Sequence, residues 1–257
     1  MDCQARLAPY KLSLRHAPRA PPMVEEVMSG IRQHFRSLEY SLPIRVQRPL
    51  IHLLRKNPYF PEYDESHSIF VHTPKTAGTS IGQAIYGHWM GHVPLRRFAV
   101  FDPRKFKSYF KFSFVRNPWD RLLSAFAHLK GYGEPLAERE ALWSKRYLGE
   151  TETFEQFVLK LRDALFRELI VNDVIFRPQL DWITLPGSNA IAVDFLGRFE
   201  SLEDDYAQVA RRLGIAVELP KRNFTTRPPH REAYSKEMRT ITEEVFRKDI
   251  SRLGYDF

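Results

Sequence analysis

One short segment, PKTAGTS at residues 74–80, places a lysine, a glycine and hydroxyl side chains next to one another. An apolar run precedes it and a run with helical character follows, as in a strand, a phosphate-binding loop and a helix. Gly78 lets the backbone approach a ligand, and Thr79 and Ser80 add hydroxyls where the helix dipole is positive. We therefore predict an anion site in this loop, with the amine of Lys75 above the anion.

The order of residues in this loop differs from that of the triphosphate-binding P-loop, G-x-x-x-x-G-K-S/T, in which the lysine follows the second glycine. Here Lys75 precedes Gly78, and the first glycine is absent. The backbone N–H groups at the start of the helix can still bind an anion. A helix cap beside a solvated lysine is the alternative explanation of this loop taken alone.

A second candidate anion site lies in FVRNPWDRLLSAF at residues 114–126. Arg116 ends an apolar run that reads as a buried strand, and Pro118 suits the first position of the following helix. Ser124 lies about two turns along that helix. A guanidinium fork and a hydroxyl can together bind one dianionic phosphate, so we predict a phosphate site at Arg116 and Ser124.

Several other polar residues have simpler explanations. Asp120 and Arg121 suit the first turn of a helix, where an acid complements the dipole and an arginine pairs locally. Gln179 either faces a ligand cleft or orients a loop. We expect Glu200 to make structural contacts and His72 to be a packed histidine within its strand.

The order of the elements predicts the fold class. Short apolar strands alternate with helices, which favours an α/β fold with a central, largely parallel sheet flanked by helices. Residues 1–60 read as an N-terminal extension with a helix at 24–38, and residues 61–257 as the main α/β domain. The predicted elements of that domain are strands at 68–72, 92–101 and 109–115, and helices at 79–87, 117–131, 153–165, 201–214 and 234–257.

Composition and charge limit the class of protein. The chain has 257 residues, 43% of them hydrophobic, which is enough for one large domain with a full core. Its net charge of +8 favours an anionic partner. Cys3 is the single cysteine of the sequence, which excludes an internal disulfide framework and a cysteine-based zinc cluster.

The first residues carry scattered charges and prolines rather than the apolar centre of a signal peptide. Nowhere does the sequence contain a run of about 18 apolar residues. We therefore expect a soluble, cytoplasmic protein without a transmembrane segment.

Taken together, PKTAGTS and RNPWDRLLSAF resemble the two nucleotide-binding motifs of the sulfotransferases that use 3′-phosphoadenosine 5′-phosphosulfate. The first motif is most similar to the P-K-x-A-G-T-S loop of the carbohydrate branch. The segments RPQLDWI, VDFLGRFESLEDDYAQVARRLG and DISRLGYDF agree with that branch as well. The resemblance runs from residue 68 to 257, and it implies the P-loop-like sulfotransferase fold.

The resemblance also implies roles for individual residues. It assigns the 5′-phosphosulfate of the donor to the first loop, that is to Lys75, Thr76, Gly78, Thr79 and Ser80. It assigns the 3′-phosphate to Arg116 and Ser124, with Arg227 as a further candidate. The implied partners are this nucleotide co-substrate and an acceptor hydroxyl, expected on a saccharide, without a metal ion and without nucleic acid.

Transfer to a hydroxyl requires a general base, which the family places as histidine or glutamate after the first helix. GHWMGHVPLRRF offers His88 and His92. We prefer His92 because the predicted second strand begins there. Lys75 suits the bridging oxygen, where negative charge grows as sulfur transfers.

Two alternatives stay open at this point. A P-loop kinase or other phosphotransferase would need an aspartate after an apolar strand to hold Mg²⁺, and Asp194 in IAVDF imitates it. The lysine of that class, after the glycine, is missing. A non-catalytic polyanion-binding protein would explain the net charge and the mixed basic and aromatic segments.

Overall fold

A computed structural model describes residues 57–132, 135–188, 190–220 and 227–257. All of these residues fall in one compact unit. The predicted N-terminal extension lies outside the described residues except at 57–60, and its helix at 24–38 lies wholly outside them. Of the helices in the described ranges, none is both long enough and apolar enough to cross a bilayer.

The described chain builds a small sheet and a larger number of helices. The strands are β1 (Ser68–Val71), β2 (Phe110–Val115) and β3 (Phe195–Arg198). The helices before β2 are α1 (Pro61–Ser66), α2 (Gly78–Tyr86), α3 (Leu95–Phe101) and α4 (Pro103–Ser108). Those between β2 and β3 are α5 (Pro118–Leu129), α6 (Glu138–Leu148), α7 (Phe154–Lys160), α8 (Ala164–Asn172) and α9 (Leu180–Ile183). A 3₁₀ turn (Phe199–Ser201) follows β3, and α10 (Leu202–Leu213), α11 (His230–Ala233), α12 (Lys236–Val245) and α13 (Arg247–Leu253) complete the fold.

The three strands form one parallel sheet in the order β1, β2, β3. Parallel neighbours need long crossovers, and the helices between the strands provide them. All strands therefore end at the same edge of the sheet, where the chain continues into residues 72–80, 116–118 and 199–201. That edge is where ligands bind in open α/β sheets.

Two clusters of buried side chains make up the core. One surrounds the sheet and includes Phe70, Phe112 and Trp182. The other lies among the helices after β2 and includes Phe157 and Met238. Each fully buried side chain of this size stabilises the fold by about 1.5–3 kcal/mol. The predicted α/β class is confirmed as a mixed fold with a small parallel sheet.

The prediction of a strand at residues 92–101 is wrong, because residues 95–101 form α3. The helix begins after Pro94 and buries Leu95, Phe98 and Ala99, which have helical spacing. A short apolar run does not distinguish a strand from a helix. The valine and phenylalanine residues of this run favoured the prediction of a strand. The strands predicted at 68–72 and 109–115 are confirmed within one residue at either end.

The helix predicted at residues 153–165 is two helices. Thr153 caps the first of them, and its hydroxyl accepts from the backbone N–H of Gln156. Asp163 then caps a new helix through the N–H of Phe166, and Leu165 in the first turn of that helix is 78% exposed. The capping residue Asp163 lies inside the predicted helix and begins a second one, so the first helix ends at Lys160.

The helix predicted at 201–214 is confirmed with a change at its start, whereas the one predicted at 234–257 is two helices. Gly214 ends α10 in the left-handed conformation, with φ of 69°. The hydroxyl of Ser201 donates to Asp205 instead of capping the helix. The C-terminal helix is broken at Phe246 into α12 and α13.

Gly197 provides a test of the sheet packing. Gly197 pairs with Phe114 across β2 and β3, and a Cβ at position 197 would overlap the Phe114 ring. We expect Gly197→Ala to lower the free energy of unfolding by about 1–3 kcal/mol, as overpacking does. Urea unfolding measures this change. The double variant Gly197→Ala/Phe114→Leu should lose less free energy of unfolding than the two single variants summed. Additive losses would contradict the contact.

Candidate active site

A cavity of about 800 Å³ opens at the carboxyl edge of the sheet. Segments that follow all three strands line it. The lining side chains on which the argument depends are His72, Lys75, Gly78, Thr79, Ser80, Trp89, His92, Arg116, Ser124, His128, Glu140, Phe199, Glu200 and Arg227. Residues far apart in the sequence thus meet at one ligand-sized site.

The loop after β1 turns tightly into α2. Lys75 and Ala77 both adopt left-handed backbone conformations, with φ of 68° and 64°. The hydroxyl of Thr76 donates to the carbonyl of Thr73 at 2.8 Å. Of the five loop residues assigned to the donor, Thr76 is therefore directed into the protein, whereas Lys75 and the three residues that begin α2 face the cavity.

Gly78 is required for a steric reason. Its φ is not positive, but a Cβ there would overlap the ring of His72. His72 is buried and stacks on Phe70, with ring centroids 5.6 Å apart. The prediction of a packed histidine is confirmed, and the same ring also forms part of the cavity wall.

The guanidinium of Arg116 is buried at the end of β2. Its Nε and Nη2 each lie 2.6 Å from Oδ2 of Asp120, and Nη1 donates to the carbonyl of Lys75 at 3.1 Å. The guanidinium carbon lies 3.7 Å from the centroid of the Phe199 ring. Burial lowers the pKa of Arg116, and the Asp120 carboxylate opposes that shift. Arg116 directly follows β2, whose last five residues are buried, so the packed sheet positions the cation at the cavity.

Asp120 has a larger part than complementing the helix dipole. Its Oδ1 lies 2.6 Å from Nη1 of Arg227, so one carboxylate pairs with two arginines. Burial acts to raise the pKa of Asp120, but the charges of Arg116 and Arg227 outweigh it and hold that pKa below its usual value. Ser124 lies one turn further along α5 and also faces the cavity. The three residues assigned to the 3′-phosphate are therefore brought together.

Arg121 does not pair locally, so that prediction is wrong. Its buried guanidinium donates to the carbonyls of Pro74, Ile175 and Arg177 at 2.7–3.0 Å. Burial lowers the pKa of Arg121 to about 10. The side chain links α5 to the loop before α2 and to the segment before α9. Nothing in the sequence around Arg121 indicates either contact.

Gln179 orients a loop and lies outside the cavity wall. Its Oε1 accepts from the N–H of Arg116 at 2.9 Å, and its Nε2 donates to the carbonyl of the same residue at 2.8 Å. The N–H of Gln179 in turn donates to Asp249 at 2.6 Å. Burial raises the pKa of Asp249 to about 6, although hydrogen bonds from Gln179 and Leu180 act against the rise.

Glu200 makes the structural contacts predicted for it. Its Oε1 accepts from the N–H of Asn117 at 2.6 Å, and its Oε2 accepts from the hydroxyl of Tyr255 at 3.0 Å. It therefore ties the turn after β2 to the C-terminal residues while forming part of the cavity wall.

The two candidate bases lie in different surroundings. Nδ1 of His92 is 3.0 Å from the carbonyl of His72, and because a carbonyl only accepts, the neutral ring carries its lone pair on Nε2. Burial lowers the pKa of His92. His88 pairs with Glu62 at 2.8 Å, and hydrogen bonds to Trp89 and Glu62 raise its pKa. His92 lies in the cavity wall, although in a loop before α3 rather than at the start of a strand.

Sequence reasoning missed other residues of the wall. Trp89 and Glu140 had no motif around them that would indicate a site. His128 also lines the cavity, and its Nε2 lies 3.5 Å from Oε1 of Glu140. Within the described ranges, no group of three or more acidic, cysteine or histidine side chains has the arrangement of a metal site.

The hydrogen bonds of Gln179 should be essential to the fold. Gln179→Leu leaves the N–H and carbonyl of Arg116 unpaired in the interior, which costs about 1–3 kcal/mol for each group. Urea unfolding measures the loss. The matched control is Gln208→Leu on the exposed face of α10, where we expect a change within about 0.5 kcal/mol. Equal losses in both variants would contradict the role of Gln179.

Comparisons with known proteins agree on one family. Among curated proteins, carbohydrate sulfotransferase 14 of Danio rerio is 27% identical over 169 residues, which cover 60% of this chain and 44% of that protein. Carbohydrate sulfotransferase 10 of Homo sapiens is 32% identical over 169 residues, covering 58% and 45%. Carbohydrate sulfotransferase 11 of Rattus norvegicus is 29% identical over 176 residues, covering 59% and 48%. The aligned part of the chain spans slightly less than half the length of these relatives.

No solved structure matches the chain significantly. A family model described as the sulfotransferase family matches residues 90–256. The matched range contains His92 and the segment from Arg116 to Ser124, whereas the loop at 74–80 precedes it. Since the match extends over well more than half of the residues and includes this part of the cavity wall, the chain belongs to the sulfotransferase family.

Proposed function

We propose that this protein transfers a sulfuryl group from 3′-phosphoadenosine 5′-phosphosulfate to a hydroxyl of a saccharide. The main support is that the Lys75 loop and the Arg116 site face one cavity, with the neutral imidazole of His92 in the same wall. Family membership supports the reaction type. The relatives' names, carbohydrate sulfotransferases, support a sugar acceptor.

The residues present fit the two anionic groups of such a donor. Arg116 and Arg227 bring two guanidinium groups together at Asp120, and guanidinium groups bind phosphate by charge-assisted hydrogen bonds, while the carboxylates of Asp120 and Glu200 offset part of their charge. Ser124 adds a hydroxyl from α5. The N-terminus of α2 and Lys75 provide a second positive region for the 5′ end. When bound, the donor supplies the transferable sulfuryl group.

His92 is the proposed general base. Its Nε2 would accept the proton of the acceptor hydroxyl, and the hydrogen bond from Nδ1 to the carbonyl of His72 would stabilise the resulting imidazolium. Lys75 would offset negative charge on the bridging oxygen, since neutralising charge is most of what transfers of this kind require of a protein. The proposal includes no metal ion.

The kinase alternative receives no support from Asp194. A magnesium-binding aspartate would follow its strand at the carboxyl edge. Asp194 instead precedes β3, where its Oδ2 accepts from the N–H of Lys111 and lies 2.8 Å from Nζ of the same lysine. That position is at the opposite edge of the sheet from the cavity. A non-catalytic polyanion-binding protein remains the alternative if the protein binds nucleotide without transferring sulfate. The cytoplasmic location remains a prediction.

Nucleotide binding tests the donor site. By calorimetry, the protein should bind 3′-phosphoadenosine 5′-phosphate more tightly than 5′-AMP or ATP with magnesium. Ser124→Ala should reduce that preference by about tenfold, because it removes one hydrogen bond to a charged group. Arg116→Ala should abolish the preference. Stronger binding of magnesium-ATP by the native protein would overturn the proposal and favour a kinase.

The pH dependence of transfer tests the base. Because burial places the pKa of His92 below its ordinary 6.5, Nε2 is unprotonated at neutral pH and protonates only in more acidic solution. We expect kcat to be flat above about pH 7 and to fall below the native pKa of His92. His92→Asn should lower kcat by about 10²- to 10⁴-fold. His88→Asn is the matched control and should retain kcat at saturating acceptor, because His88 lies outside the cavity wall; the reverse pattern of kcat losses would exclude His92 as the base.

A further inference from the structure

Trp89 is an exposed aromatic ring in the wall of a charged cavity. It is 54% exposed, in contrast to Trp119 and Trp182, which are buried. Its ring lies edge-on to His92, with centroids 5.6 Å apart and planes at 82°. The backbone carbonyl of Trp89 accepts from Nδ1 of His88, whose other ring nitrogen is held by Glu62. The backbone at Trp89 is therefore held by His88, while more than half of the residue stays exposed in the cavity wall.

The ring contact between Trp89 and His92 places Trp89 on the acceptor side. The backbone of Lys75 contacts Arg116, at the proposed nucleotide end. Lys75 and His92, the proposed base, line the same cavity. Trp89 contacts that base. A group whose hydroxyl reaches Nε2 of His92 thus lies beside the Trp89 ring.

A carboxylate accompanies the ring. Glu140 lines the same cavity and accepts from the N–H of Ala137 at 3.2 Å. Its hydrogen bond to His128 lowers the pKa of Glu140, so it is ionised at neutral pH. Its charge reaches both His92 and Lys75. A negatively charged ligand at this end would meet an existing negative charge, whereas an uncharged hydroxyl could donate to it.

We propose that Trp89 and Glu140 form the subsite for an uncharged sugar ring of the acceptor. The apolar C–H face of the ring packs on the open side of Trp89, and a ring hydroxyl donates to Glu140. This inference rests on the proposed function, because it places the acceptor beside the base of that reaction. It adds that the sugar at this position is neutral, and that a uronic acid or an already sulfated sugar is disfavoured there.

Direct binding of simple sugars tests the subsite without requiring transfer. With 3′-phosphoadenosine 5′-phosphate bound, methyl glycosides of glucose, galactose, mannose and N-acetylglucosamine are titrated while tryptophan emission is recorded. We expect at least one to change the emission with a Kd in the millimolar range. Trp89→Phe should lose that emission change. The change should also be absent with the matched methyl glycoside of the corresponding uronic acid.

Two outcomes would overturn the proposal. One is that no neutral glycoside alters the emission; the other is that Trp89→Phe shows the same change as the native protein. Because the nucleotide is titrated separately, failure of the subsite is distinguishable from failure of the donor site. Protein that binds the nucleotide but no neutral sugar refutes only this inference, and protein that fails to bind the nucleotide refutes the proposed function.

Kinetics separate a binding role from a structural one. Trp89→Ala should raise the KM for a neutral acceptor by about tenfold, as loss of an aromatic contact does, with the affinity for the nucleotide unchanged. Glu140→Gln should improve the ratio of kcat/KM for uronic acid over neutral acceptors. A native preference for the uronic acid acceptor, unaffected by Glu140→Gln, would contradict the assignment of charge.

Discussion

A buried guanidinium is the constraint on which the site depends. An unpaired charge in the interior is costly, so Arg116 needs compensation on every side. Asp120 supplies the opposite charge, the carbonyl of Lys75 accepts one N–H, and the ring of Phe199 covers one face. These partners come from three segments that follow the three strands. The contacts that compensate the charge of Arg116 therefore hold together the three segments at this edge of the sheet.

Backbone groups at this edge are held by side chains from distant parts of the chain. Gln179 pairs with both polar groups of Arg116 and is itself held by Asp249. Arg121 does the same for carbonyls on two other segments. Loops leave their backbone groups without partners from regular structure, and such groups need a partner when they are buried. The interior behind the cavity therefore contains a connected set of buried hydrogen bonds.

Features that depend on a few neighbouring residues could be predicted from the sequence. The cap at Thr153, the proline at the start of α5 and Gly214 at the end of α10 each depend on a few neighbouring residues. The two anion-site motifs were found for the same reason, because each lies at one junction of strand and helix. The partners of Arg121 and Gln179 lie about 50 to 70 residues away along the chain, and only the tertiary fold brings them together. Trp89 and Glu140 belong to no motif: Trp89 lies in the loop after α2 and Glu140 in the first turn of α6, and only the tertiary fold brings both to the cavity wall.

The contact between position 78 and the ring of His72 limits how the first loop can diverge. Any side chain at position 78 would occupy the space of the imidazole, which β1 holds in place. A lineage could exchange the glycine only after, or together with, a reduction in size at position 72. The two positions should therefore covary among homologues, although one directly follows the strand and the other begins the helix. A functional requirement on the loop thus also restricts which residue can occupy the buried position 72.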